Sequence, residues 1–321
     1  MKIEASGASF SACSDRFVTT GYRRSMNPME QLDELARIEG LIGIPVMYPL
    51  QFDNASIIRD RMVKMGKKVG TVAPDTYIDP LWKDGSLTCR NPKIRKKMIQ
   101  LIKESMDLCH ELDGSDVLLW MAHDGYDYPF EDDYNMRWGY LLEGLAEVAS
   151  YRRDVKVAIE YKAKEPRTHQ YISDIGKSLL ICEELKLPNL GIVVDIGHSL
   201  FGGENPAEAV ALAARYNRLF HVHMNDNYRS WDDDLLVGGV HFWETLEFFY
   251  VLNKIGYDGW VTIDIWPSRV DGFKALQESI RRVEMFAEMA RKLPLEEIKR
   301  LQDENQTMDI MEILRKKCIR Y

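Results

Sequence analysis

Leu190-Gly-Ile-Val-Val-Asp195-Ile-Gly-His198 is an apolar, β-branched run that ends on a carboxylate, turns through Gly197 and reaches an imidazole. β-branched residues favour strands, and a carboxylate closing such a run belongs at the strand's end rather than in its middle. The same arrangement recurs on either side. Val155-Lys-Val-Ala-Ile-Glu160 precedes it, while Leu219-Phe-His-Val-His223 and Trp260-Val-Thr-Ile-Asp264 follow. If these strands are parallel, Glu160, Asp195, His223 and Asp264 share one face of the molecule. Oxygen and nitrogen donors can converge there on a divalent cation.

Working outward, strands are predicted near Ala8 to Cys13, Leu41 to Met47, Lys68 to Val72 and Asp116 to Met121, in addition to the four runs above. Helical patterns fall between and after them, near Met29 to Glu39, Ala55 to Met65, Lys93 to Leu112, Tyr134 to Ser150, Tyr171 to Leu185, Pro206 to Tyr216, Phe242 to Ile255 and Phe273 to Lys292. Strand alternating with helix indicates a parallel α/β architecture. Eight such pairs fit a closed (β/α)8 TIM barrel better than a doubly wound sheet, and no GxGxxG follows the first strand. The barrel is expected to occupy residues 1–292. Residues 293–321 read as a C-terminal helical extension, and its spaced Leu301, Ile310 and Leu314 leave two readings open: a solvated tail, or an arm packing on a neighbouring subunit.

The chain has 321 residues, 45% of them hydrophobic, enough for a sizeable core, and 29% charged. Its formal net charge of −8 argues against nucleic acid or an anionic membrane as partner, since both require a basic face. No apolar stretch approaches the length of a bilayer span, and Met1-Lys-Ile-Glu-Ala-Ser lacks a signal-peptide core, so a cytoplasmic location is expected. Five cysteines without CxxC spacing point away from disulfides and zinc thiolates. Cys109 and Cys182 read as small core residues. Cys13, at the mouth of the first predicted strand, is either a core residue or part of a pocket wall.

Each candidate also has a plainer reading. Glu160 and Lys162, two apart, point the same way from a strand and taken alone would be a buried ion pair. Beside the other strand ends they read instead as a ligand carboxylate and an ammonium able to bond a substrate oxygen. A lone His198 would be a cap or packing residue. Three residues from Asp195, it could instead share two cations with a bridging carboxylate. His221 and His223 share one face; His223, nearer the mouth, is the candidate ligand, and His221 a core residue or a support behind it. Asn225-Asp226-Asn227 leads to Asp232-Asp233-Asp234. In isolation the three aspartates would form a solvated acidic turn; beside a cation they are candidate ligands. Asp264 would be a helix N-cap in isolation, and a ligand by its place at a barrel strand end.

Four segments carry a family resemblance. Asp79-Pro-Leu-Trp-Lys-Asp-Gly-Ser-Leu-Thr88 resembles "HPxFKDGxxT", Leu119-Trp-Met-Ala-His-Asp-Gly125 resembles "LWGGREG", Ile159-Glu-Tyr-Lys-Ala-Lys-Glu-Pro-Arg167 resembles "IEPKPNEPR" and Trp231-Asp-Asp-Asp-Leu235 resembles "FDQDL". Together they make most of residues 70–292 similar to the xylose isomerase superfamily of metal-dependent barrels. The resemblance implies one metal held by Glu160, Asp195, His223 and Asp264. It implies a second held by Asp195, His198, Asp232 and Asp234. It also implies a sugar isomerase that moves a hydride between C1 and C2 of an aldose and a ketose. Lys162 would polarise the carbonyl oxygen, with Glu160 and Asp264 as further catalytic groups. Trp120, Trp82, His123 and His198 would contact the substrate, and Tyr77 would help to exclude water.

The departures restrict the substrate. His223 stands where xylose isomerases carry aspartate and rhamnose isomerases histidine, and the ring-opening His and Asp pair is replaced by Met47-Tyr-Pro-Leu-Gln51. Ketose 3-epimerases resemble the chain in the first metal shell but use two glutamates as bases, so a ketose 3-epimerase is the alternative. An oxygen-rich donor set without thiolate favours Mn²⁺, or Mg²⁺ or Co²⁺, as one structural and one catalytic ion. A sugar is the expected small-molecule partner, and a homodimer or homotetramer the expected assembly.

Overall fold

The computed structural model describes residues 1–51, 54–165 and 168–319. Its strands are β1 (Lys2–Ala5), β2 (Gly43–Tyr48), β3 (Lys68–Pro74), β4 (Asp116–Trp120), β5 (Gly125–Tyr126), β6 (Lys156–Glu160), β7 (His169–Gln170), β8 (Leu190–Asp195), β9 (Leu219–Met224) and β10 (Trp260–Ile263). Eight of them close a parallel barrel in the order β1-β10-β9-β8-β6-β4-β3-β2, and β5 pairs antiparallel with β7 outside it. The four runs ending in Glu160, Asp195, His223 and Asp264 thus belong to neighbouring barrel strands. Asp195 pairs in register with His223, and His223 with Thr262.

Three helices begin where the chain offers both a side-chain cap and a preset φ. Asn27-Pro28, Asn91-Pro92 and Asn205-Pro206 repeat one device, in which the asparagine side chain accepts N–H bonds from the first turn and proline occupies the first helical position. The helices surround the barrel and bury one continuous core that includes Leu35, Met98, Ile102, Leu145, Phe248, Phe249 and Phe286. Close approach of backbone to side chain fixes Gly43, because the Trp260 ring lies 2.4 Å from where a Cβ would stand.

Several predicted boundaries move. The first strand is Lys2–Ala5, and Gly7–Phe10 forms a 3-10 turn capped by Ser6 where a strand was expected. Glu4 obscured this strand, because a carboxylate in a short run reads as exposed. It is fully buried, with Oε1 accepting bonds from Thr71 (3.0 Å) and Thr262 (2.7 Å). The helix predicted from Tyr171 starts at Ile175, since His169–Gln170 pairs with Gly125–Tyr126 and Asp174 caps the helix. Asp195 likewise caps an additional short helix, Ile196–Phe201, by accepting the His198 N–H at 2.9 Å. Gly197 therefore sits within a helix rather than in a tight turn.

The C-terminal segment forms Leu295–Asp303 and Thr307–Cys318. Ile298 and Leu301 of the first are buried, and Leu314 of the second packs against the core from a partly exposed position. The final two residues of the predicted extension lie outside the described residues, as do Pro166 and Arg167 of the Ile159 segment. No helix among the described residues is long and apolar enough to cross a membrane.

Candidate metal centre

Glu160, Asp195, His223 and Asp264 each direct a ligand atom to one place, all four atoms lying within 4.8 Å of one another. Strand geometry produces this convergence: Glu160 ends β6, Asp195 ends β8, His223 lies near the end of β9, and Asp264 follows β10, its N–H bonding Met224 O at 3.2 Å. The first three are nearly inaccessible, while the Asp264 side chain is 42% exposed and marks the side open to solvent. His223 Nδ1 stands 3.1 Å from Glu160 Oε1, 3.6 Å from Asp264 Oδ2 and 3.8 Å from Asp195 Oδ2. Glu160 Oε1 and His223 Nδ1 nevertheless make no aligned hydrogen bond to any described residue. Buried donor atoms left without hydrogen bonds are costly, and three carboxylates around one imidazole nitrogen fit a bound dication, which would satisfy them together.

The second predicted set lies alongside, but among the described residues only the first set brings its four ligand atoms to one place. His198 Nε2 and Lys162 Nζ meet Asp232 Oδ2 at 3.2 and 2.6 Å, and His198 Nδ1 lies 2.9 Å from Tyr161 O. Asp234 joins through Asn225, whose Nδ2 donates to Asp234 Oδ1 (3.2 Å) and to both Asp195 oxygens (3.1 and 3.3 Å). Asn227 Nδ2 donates to Gly197 O at 2.8 Å and to Asp232 Oδ1 at 3.4 Å. Lys162 also pairs with Glu165.

Charge is unevenly balanced across the cluster. Burial raises the Glu160 carboxyl, but the His223 and His198 imidazoles and the Lys162 ammonium more than offset it and hold it at about 2. Asp232 is likewise held low against burial by His198 and Lys162. Burial pushes Asp195 up to about 6, and burial with the Asp232 and Asp264 carboxylates pushes Asp234 well above the usual range. Burial works against a charged Lys162 too, yet Asp232 and Glu165 keep its ammonium well above the ordinary lysine value. Cationic compensation is thus weakest at Asp195 and Asp234, two of the residues predicted to share the second ion.

The predicted substrate contacts divide. The Lys162 ammonium lies 4.8 Å from the Trp120 ring centroid, and Tyr77 packs on Trp120 with centroids 4.8 Å apart. His123 Nε2 lies 3.0 Å from Tyr77 O. Trp82 is buried in the hydrophobic core, with the Lys97 ammonium 5.7 Å from its ring. Cys13 is buried beside Arg23, whose Nη2 is 3.1 Å from the sulfur. His221 is enclosed within the barrel, bonded to Thr262 Oγ1 at 2.7 Å and to Asp116 Oδ2 at 3.2 Å.

Sequence reading gave no role to Asn225, Asn227 or Glu165. Only the adjacency of Asn225-Asp226-Asn227 to the three aspartates pointed to the asparagines, and asparagine in a loop is ordinarily a turn residue.

Residues 27–288 match the family described as xylose isomerase-like TIM barrel. The xylose isomerase of Thermus thermophilus is 30% identical over 200 residues, covering 60% of this chain and 52% of that protein. That of Thermus caldophilus is 28% identical over the same length, with the same coverage. The chain spans about half the length of these curated relatives. Among solved structures, an L-ribulose 3-epimerase superposes with a TM-score of 0.70 at 17% identity, over 91% of this chain and 96% of that one. A D-tagatose 3-epimerase-like protein gives 0.68 at 20% identity, over 91% and 99%. At these identities the likeness is one of fold.

Proposed function

The chain belongs to the xylose isomerase-like TIM barrel family, and from that premise we propose that it is a metal-dependent sugar isomerase interconverting an aldose and a ketose by a 1,2-hydride shift. The observation that carries this reading is the placement of Lys162 beside Asp232, next to the four donor atoms of Glu160, Asp195, His223 and Asp264. Those four would hold one Mn²⁺-like ion, and Asp195, His198, Asp232 and Asp234 a second. Bound there, a dication supplies Lewis acidity toward adjacent sugar oxygens.

The chain's own groups supply the rest. The Lys162 ammonium donates to the carbonyl oxygen at C1, which gains negative charge as hydride arrives from C2. Meanwhile the C2 hydroxyl gives up its proton and its carbon becomes the new carbonyl. Asp264, the most accessible of the three carboxylates in that set, is the candidate acceptor for that proton, and one proton returns to the C1 oxygen to complete the ketose. Trp120 and Tyr77 present an aromatic wall beside Lys162 that keeps water from the carbons exchanging hydride.

A ketose 3-epimerase is the second reading, favoured by the likeness of fold to solved epimerases. Against it stand Asp264, where those enzymes are expected to use a glutamate base, and the acidic loop Asp232–Asp234. An aldose deuterated at C2 and a ketose deuterated at C3, each incubated with the protein in ordinary water, separate the two. Deuterium retained at C1 of the ketose supports the hydride shift. Loss of the C2 label to solvent would indicate proton transfer through an enediol, and loss of the C3 label with inversion at C3 and no aldose conversion would indicate the epimerase; either overturns it.

A further inference from the structure

Asp226 lies one residue from each of the two asparagines that contact the acidic cluster, yet its own side chain faces away from that cluster. It is fully buried, and its carboxylate accepts four bonds. Oδ1 takes the N–H of Asn227 and stands 2.8 Å from His241 Nδ1, while Oδ2 takes the N–H groups of Val240 (2.7 Å) and His241 (2.8 Å). Its carbonyl oxygen accepts the Leu235 N–H at 2.7 Å. One residue therefore ties the start, the middle and the end of the segment 226–241 together.

That segment carries Asp232 and Asp234. Without such a tie, a loop of this length would lose much of its entropy on holding two carboxylates at fixed positions. His241 completes the closure. Arg229 Nε donates to His241 Nε2 at 3.2 Å, so the opposite nitrogen, Nδ1, carries the hydrogen donated to Asp226. Arg229 Nη2 also reaches Glu244 at 3.2 Å, fastening the loop to the helix Phe242–Lys254.

We infer that Asp226 is a positioning residue for the second cation set: its buried carboxylate clasps the 226–241 loop shut and thereby holds Asp232 and Asp234 against Asp195 and His198. This rests on the two-ion reading of the site. It assigns Asp226 no contact with ion or sugar; it acts through Asn227, Leu235 and His241. The flanking asparagines divide the work, Asn225 reaching Asp195 and Asp234, and Asn227 reaching Gly197 and Asp232.

The test is titration of the metal-free full-length chain with Mn²⁺ by calorimetry, with electron paramagnetic resonance to count bound ions. No sugar is present, so failure of the isomerase reading does not affect the outcome. The expected result is two ions on the unaltered chain, and in Asp226→Asn a second ion weakened about 10–100-fold, the usual cost of losing a group that orients ligands. The first ion should be held as before, because its donors lie outside the loop. A merely structural role would weaken both ions alike. His241→Ala, which removes one bond and leaves the backbone donors, should weaken the second ion less, and it carries the test if Asp226→Asn does not fold. One bound ion on the unaltered chain, equal weakening of both ions, or an unchanged second ion in the variant that folds overturns the inference.

Discussion

Lys162 Nζ stands 2.6 Å from Asp232 Oδ2 at the barrel mouth, and both side chains are almost wholly buried. Asp232 keeps the ammonium charged despite burial and fixes where it points. Lys162→Met should therefore lower kcat by about 100- to 1000-fold, the range seen when a single donor to a developing oxyanion is removed. KM should change much less, since the donor strengthens its contact mainly as charge develops. Steady-state kinetics on the best converted aldose provide the check. A variant with undiminished kcat would remove Lys162 from the reaction.

Adding Mn²⁺ should stabilise the fold, because the donor atoms are assembled only in the native state. At a free concentration one hundred times Kd, a single site contributes about 2.7 kcal/mol. Melting temperature should rise by several degrees after chelator-treated protein is reloaded. Asp195→Asn, which takes a charge from a residue assigned to both ions, should lose most of that rise. Identical melting curves with and without Mn²⁺ would argue against any resident ion.

His221 gives the metal-free protein a pH dependence of its own. Burial alone would lower this imidazole, but Asp116 and Glu4 more than offset it and raise it to about 9, against an ordinary value of 6.5. The folded state therefore holds the proton more tightly than the unfolded chain. Its stabilising contribution is complete below about pH 6.5 and is lost as pH rises through about 9. An upper bound is on the order of 3 kcal/mol for a shift of this size. Urea titrations of chelated protein at pH 6 and pH 9.5 should differ in the expected direction, and His221→Gln should flatten the difference. A pH dependence unchanged by that substitution would assign it to other groups.

Much of this was legible because parallel strands end in chemistry. A β-branched run closed by Glu160, Asp195, His223 or Asp264 declares both the strand and the face to which its last side chain belongs. The first strand was not legible, since Glu4 looks like a surface residue until Thr71 and Thr262, distant in sequence, are brought to its carboxylate. The asparagines behind the acidic loop were hidden for a similar reason. Their partners come from β8, from the helix Ile196–Phe201 and from the loop itself, and a pattern of local spacing holds no trace of such contacts.

Gly197 shows the same limit and yields a sharper expectation. The sequence reads it as the hinge of a tight turn, but it lies within a helix, where alanine is intrinsically the better residue. What excludes a side chain is Asn225: a Cβ on Gly197 would stand 2.1 Å from Asn225 Oδ1 and 2.9 Å from its Cγ. Gly197→Ala must then displace the amide that donates to Asp195 and Asp234. Overpacking a buried site typically costs about 1–3 kcal/mol, so the metal-free chain should melt several degrees lower. Mn²⁺ affinity should fall with it, because the displaced amide leaves two carboxylates uncompensated and free to shift. Gly197→Ala combined with Asn225→Ser, which shortens the clashing side chain, should recover much of the lost melting temperature but little of the lost Mn²⁺ affinity. Recovery of both would mean that Asn225 only fills space; recovery of neither would place the clash elsewhere.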